Sequence, residues 1–93
     1  MDYEVIFSPL ALTDLEAIVR YVAAERLGTR LLDQAETLCH LPHRGGPVRR
    51  RPGVRKLVSR PYLIFYRVDD AARRVGVLRF WHGAQDPGGL RLE

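Results

Sequence analysis

Cysteine is nearly absent from this 93-residue sequence, where Cys39 stands alone. One thiol closes neither a disulfide nor a zinc cluster, so nothing marks an oxidising compartment and a cytoplasmic protein is expected. Long apolar runs are missing as well. None approaches the roughly 18 residues of a membrane helix, and the acidic opening Met1-Asp2-Tyr3-Glu4 lacks the basic start of a secretory leader. Residues 1–93 are too few for two domains and enough for one core, so a single domain is expected. Metal ligands are scarce too: His40 and His43 have only Leu41 and Pro42 between them and no other ligand nearby, so no metal and no cofactor is expected.

Acid is missing from one long stretch. Between Arg44 and Arg60 stand seven basic residues (Arg44, Arg49, Arg50, Arg51, Arg55, Lys56, Arg60) and no Asp or Glu. The total charge of +4 hides this asymmetry, because residues 1–40 carry net −4 and residues 41–93 net +8. Such a block is an electrostatic footprint for nucleic acid or for an acidic protein; its plainer reading is a solvated loop.

The chain divides into periodic segments. Tyr3-Glu4-Val5-Ile6-Phe7 is a short strand, and Ser8-Pro9 opens a helix because Ser caps free N–H groups and Pro has none to lose at the first helical position. Leu12, Leu15, Ile18, Val19 and Val22 recur at helical spacing through Arg26, with Asp14, Glu16, Arg20 and Glu25 on the outward side. Gly28 is the expected break. Thr29 then caps a second helix with the stripe Leu31, Leu32, Ala35, Leu38, Cys39, ended by Pro42, and the short link makes the two helices an antiparallel hairpin. Residues 43–53, with three Gly and two Pro, read as a loop. Val54–Val58 reads as a strand turning at Ser59-Arg60-Pro61. The tail from Gly83 on reads as irregular, and frayed over Leu90–Glu93.

Residues 60–82 hold the most informative pattern. Tyr62–Val68 and Val75–Trp81 are β-branched and aromatic runs around the polar break Asp69–Arg74, which makes them a hairpin. Both faces are mostly apolar, so these are central strands covered on one face and lining something on the other. Arg67 and Arg79 interrupt the runs, and a guanidinium that cannot lose its charge must meet an anion or water. A two-residue Ala71-Ala72 loop places the two on opposite faces, and a three- or five-residue loop places them together. The expected fold is α+β: a helix hairpin across one face of a small, mostly antiparallel four-stranded sheet, in the order β-α-α-β-β-β.

That order resembles the RelE/ParE superfamily of toxins from bacterial type II toxin–antitoxin systems. The resemblance lies in Phe7-Ser8-Pro9-x-Ala11-x-x-Asp14-Leu15-x-x-Ile18-x-x-Tyr21-Val22-Ala23, in Val54-Arg55-Lys56-Leu57, in Pro61-Tyr62-Leu63-Ile64-Phe65-Tyr66-Arg67-Val68 and in Val77-Leu78-Arg79-Phe80-Trp81-His82-Gly83-Ala84. It implies a growth-inhibiting toxin of the plasmid-stabilisation kind, neutralised by a cognate, often acidic antitoxin in a hetero-oligomer. RelE-like members cleave messenger RNA in the ribosomal A site, and ParE-like members poison DNA gyrase.

Cleavage by the RNA's own 2′-OH needs a base, an acid and cations around the phosphorane. His82 is the candidate proton carrier, Arg60, Arg67 and Arg79 the phosphate holders, and Tyr62 or Tyr66 the orienting hydroxyl. The plainer readings are a strand-end histidine bonded to backbone for His82 and packing for Trp81. RelE-like nucleases commonly carry a reactive Tyr or further basic residue just past the last strand, where this chain has Gly83-Ala84-Gln85-Asp86. Gln85 stands where many relatives continue with Arg. The ParE-like expectation therefore leads, with Arg49, Arg50, Arg51, Arg55, Lys56, Trp81 and Gln85 as candidate partner- or nucleic-acid-binding residues. The ribosome-dependent nuclease is the alternative, and a non-catalytic nucleic-acid-binding module the second.

Overall fold

The computed structural model describes residues 2–21 and 25–92. Strand β1 (Glu4–Phe7) leads into α1 (Pro9–Tyr21) and α2 (Glu25–Glu36), followed by a 3-10 turn over Thr37–Cys39. Then come β2 (Gly46–Pro47), β3 (Val54–Ser59), β4 (Tyr62–Asp69) and β5 (Arg74–His82), with a second 3-10 turn at Pro87–Gly89. The sheet has five strands, not four, in the order β1-β5-β4-β3-β2. The added strand is the two-residue β2, which pairs Gly46 with Lys56 and Pro47 with Arg55 inside the segment expected to be loop. β1 runs parallel to β5, and the other pairs are antiparallel.

The helix hairpin packs on one face. Ala11 and Ile18 of α1 and Leu31 and Ala35 of α2, with Leu38, bury against Tyr62, Ile64, Tyr66, Val75, Val77 and Phe80. Val54, Phe65 and Leu90 make a smaller cluster on the other face. The expected α1 stripe needs correcting: Leu12 is 53% and Val19 39% exposed, Asp14 points inward, and Val22 lies outside the described residues. The sequence pattern is broader than the buried face because α1 lies at the margin of the sheet, over β5.

Gly28 and Thr29 also sit otherwise than expected, inside α2 rather than at its start. A Cβ on Gly28 would lie 2.6 Å from Val19 Cγ2, so the glycine is there to let α1 and α2 approach. At the entry to α1 the expectation holds: Ser8 Oγ accepts the Ala11 N–H at 3.0 Å.

Candidate functional site

β1 accompanies β5 only as far as Val77. Beyond it, side chains from the start of α1 complete the outer edge of β5. The Ser8 hydroxyl donates to Leu78 O (2.8 Å), and Asp14 Oδ2 accepts the Phe80 N–H (3.1 Å). Asp14 also receives the guanidinium of Arg79, from Nε at 2.6 Å and Nη2 at 2.8 Å. The third arm, Nη1, donates to Arg91 O at 2.6 Å. The same guanidinium lies 5.4 Å from the Trp81 ring centroid. Both side chains of the pair are only 15% exposed, and the hydrogen bond to Asp14 pushes the Arg79 pKa up from its ordinary value. Arg79 therefore meets an internal anion contributed by α1. Asp14, placed by its spacing on the outward side, is the polar residue that organises this edge.

The register explains how Arg79 gets there. Asp69 pairs with Arg74 and Arg67 with Gly76, which by simple alternation sends Arg67 and Arg79 to opposite faces. A bulge intervenes: Tyr66 pairs with Val77 but Phe65 with Arg79, so Leu78 is the extra residue. Arg67 and Arg79 consequently share the face opposite the helices. They do not meet on it. Arg67 is exposed near the start of β3, where its Nη1 donates to Pro52 O at 3.2 Å.

An open cleft of about 430 Å³ lies between α1 and the end of β5, bordered by Asp14, Tyr62, Arg79, Trp81, His82 and Gln85. His82 Nδ1 accepts the Ala84 N–H at 3.1 Å, and its ring meets Tyr62 edge-on at 5.1 Å between centroids. Trp81 Nε1 donates weakly to Gln85 O at 3.4 Å. With Nδ1 accepting, the neutral imidazole carries its proton on Nε2 and has no free lone pair for a base.

The remaining expected site residues disperse. Tyr66 is fully buried, and its hydroxyl accepts the Gly45 N–H at 2.9 Å, which makes it part of the core rather than of the cleft. Arg60 is exposed at the β3–β4 turn, its carbonyl accepting from Arg30 at 2.8 Å. Arg55 supports the preceding loop by donating to Gly45 O (2.9 Å) and His43 O (3.0 Å). Arg51 donates to Leu90 O at 2.8 Å. Arg49, Arg50 and Lys56 remain exposed around a second groove of about 660 Å³, floored by Val48, Leu63 and Phe65.

At the opposite end of the sheet, the Tyr3 hydroxyl donates to Asp70 Oδ1 at 2.6 Å, and His43 Nε2 lies 3.0 Å from the same oxygen. These two bonds, that from Tyr3 foremost, hold the Asp70 carboxyl below its ordinary pKa, while the same contact pushes the Tyr3 pKa up. His40 pairs separately with Asp2 at 3.0 Å. Among the described residues no three or more of His, Cys, Asp and Glu are grouped to hold a metal ion. No helix among them is long and apolar enough to cross a membrane.

Two helices laid on one face of a mixed five-stranded sheet define an α+β domain. Residues 5–87 match the family described as the ParE toxin of the type II toxin–antitoxin system parDE, and the chain belongs to that family, within the RelE/ParE superfamily. A chain of the toxin–antitoxin complex RelBE2 from Mycobacterium tuberculosis is 29% identical, with 88% of this chain and 99% of that one covered and a TM-score of 0.77. The chromosomal ParDE system of P. aeruginosa gives 22% identity over 86% and 95% of the chains (TM-score 0.69). The isolated E. coli RelE toxin gives 18% over 90% and 87% (TM-score 0.72), and these last two likenesses concern the fold. No curated protein matches significantly.

Proposed function

We propose that this toxin acts in the cytoplasm by poisoning DNA gyrase and is neutralised by a cognate acidic antitoxin in a hetero-oligomer. The observation that carries the choice of target is the state of Arg79. All three arms of its guanidinium are engaged within the chain, by Asp14 and by Arg91 O. A nuclease of this type needs such a fork open to a phosphorane. The engaged lone pair of His82, the buried hydroxyl of Tyr66 and the distance of Arg67 from the cleft support the same choice. From Tyr62 to Arg67 the strand alone spans roughly 17 Å.

One arrangement favours the alternative, a ribosome-dependent mRNA endoribonuclease: His82, Tyr62 and Arg79 border one cleft. The deciding experiment incubates the purified chain with gyrase and plasmid DNA. Loss of supercoiling with trapped DNA breaks, reversed by adding the purified cognate antitoxin, is the expected result. Gyrase that works normally at growth-inhibiting concentrations would overturn the proposal.

A further inference from the structure

The tail after β5 is not frayed. The chain turns at Pro87–Gly89, Leu90 is only 4% exposed against Val54 and Phe65, and Leu92 packs on the same cluster. Arg51 Nη2 fastens the segment by donating to Leu90 O at 2.8 Å. With the tail in place, the face opposite the helices carries two shallow grooves that share Arg51 on their border. One, of about 660 Å³, has Arg49, Arg50 and Lys56 on its rim, and the other, of about 400 Å³, is bordered by Arg67 and Arg91. No Asp or Glu borders either groove. Arg49, Arg50, Lys56, Arg67 and Arg91 are all exposed, and none of them forms an ion pair among the described residues.

The backbone sets where these charges stand. Across β3 and β4, Lys56 pairs with Phe65 and Val54 with Arg67, so Lys56 and Arg67 leave the same face two residues apart, roughly 7 Å along the strands. The loop between β2 and β3 is tied by the Val48 N–H to Val54 O (2.9 Å), the Val54 N–H to Arg51 O (3.1 Å) and the Arg51 N–H to Val48 O (3.3 Å). Within it Arg50 holds a left-handed backbone at φ 66°, a conformation that costs a residue with a Cβ and persists where its surroundings impose it. The result is a band of separate positive charges rather than a pocket converging on one anion.

We propose that this band binds the phosphate backbone of duplex DNA, one cation to one phosphate, with the tail left in its place. A row of phosphates answers a spread of cations, and the release of counterions rewards each contact separately. Guanidinium and ammonium groups only donate, so the band grips phosphate oxygens and fixes position without reading sequence. A single strand needs an open ring on which its bases stack, and Phe65, the one aromatic residue bordering either groove, is 2% exposed. A polypeptide needs an apolar pocket for its anchors, and Leu90 already fills the one between Val54 and Phe65. The choice of DNA over duplex RNA rests on the function given above, because gyrase holds duplex DNA where this protein meets it.

The test follows the fluorescence anisotropy of a short labelled DNA duplex with the full chain over a series of salt concentrations. Five phosphate contacts make log affinity fall with log salt at a slope of about −4.5. Arg49→Ala with Lys56→Ala brings the slope to about −2.7 and weakens binding roughly fiftyfold at about 0.1 M salt. Arg20→Ala with Arg26→Ala removes the same charge from the exposed side of the helices and leaves the slope at the parental value. Lys56 is the only lysine, so in the unsubstituted chain the duplex shields it from an acetylating reagent, read by mass spectrometry with no variant required to fold. Acetylation of Lys56 as fast with the duplex as without it, or equal losses in the two double variants, overturns the proposal. Tighter binding of the single strand, of an RNA duplex of the same sequence or of polyglutamate of equal charge overturns the assignment to duplex DNA. No gyrase is present, so failure here is separable from failure of the supercoiling assay.

Discussion

Replacing Asp14 with alanine removes one carboxylate and, with it, three hydrogen bonds: two from Arg79 and one from the Phe80 N–H at an otherwise unpaired strand edge. Breaking a buried ion pair from one side typically costs about 3–5 kcal/mol, because the partner charge is left without compensation. Here the guanidinium keeps its bond to Arg91 O and 15% exposure, so water offsets part of the loss and the lower end, about 3 kcal/mol, applies. For a domain of this size each kcal/mol moves the thermal midpoint by roughly 4–8 °C. Asp14→Ala should therefore melt about 12–24 °C lower by circular dichroism. Asp14→Asn keeps an acceptor for Phe80 but loses the charge, and should fall about half as far. Adding Arg79→Ala to Asp14→Ala should cost little more, with a coupling of about 2 kcal/mol between the two sites. A fall of less than about 4 °C, or fully additive single effects, would refute the view that this pair fastens α1 to the edge of β5.

The other variants probe separate features. Gly28→Ala should destabilise by about 1 kcal/mol despite alanine's better helix propensity, since its Cβ meets Val19 Cγ2 at 2.6 Å, and Val19→Ala beside it should restore the midpoint. Tyr66→Phe leaves the Gly45 N–H without its acceptor and should cost about 1–2 kcal/mol in denaturant melts while growth inhibition persists; loss of toxicity at unchanged stability would make the hydroxyl functional. Because the Asp70 pKa is lowered by folding, its contribution is complete above the unfolded carboxylate value and fades as pH falls through the depressed folded one. Asp70→Asn should thus flatten the decline of the thermal midpoint between about pH 5 and pH 2, and an unchanged slope would contradict the Tyr3–Asp70–His43 contact.

The order of elements was legible because each carries its own period: apolar pairs at helical spacing in α1 and α2, and dense β-branched and aromatic runs in β4 and β5. The features that shape the site leave no such mark. Leu78 is one apolar residue in an apolar run, so nothing in the sequence marks it as the bulge that brings Arg79 to the face of Arg67. Gly28 resembles a helix end because a glycine chosen for close helix approach and one chosen for a turn are the same letter. Asp14 resembles a solvated helix residue until the shortness of β1 leaves an edge for it to complete. Leu90 resembles a frayed terminus because its pocket is built from Val54 and Phe65, far away in sequence. The basic block was visible, but its division was not: Arg55 and Arg51 hold carbonyls of the chain itself, while Arg49, Arg50 and Lys56 face solvent.

The central claim is that the cleft beside His82 is not a nuclease site. Mapping messenger-RNA 5′ ends genome-wide within minutes of inducing the toxin tests it most directly. The account predicts an end profile indistinguishable from that of cells carrying the empty vector, with growth arrested. New ends in phase with codons on translating ribosomes, abolished by His82→Ala, would contradict it.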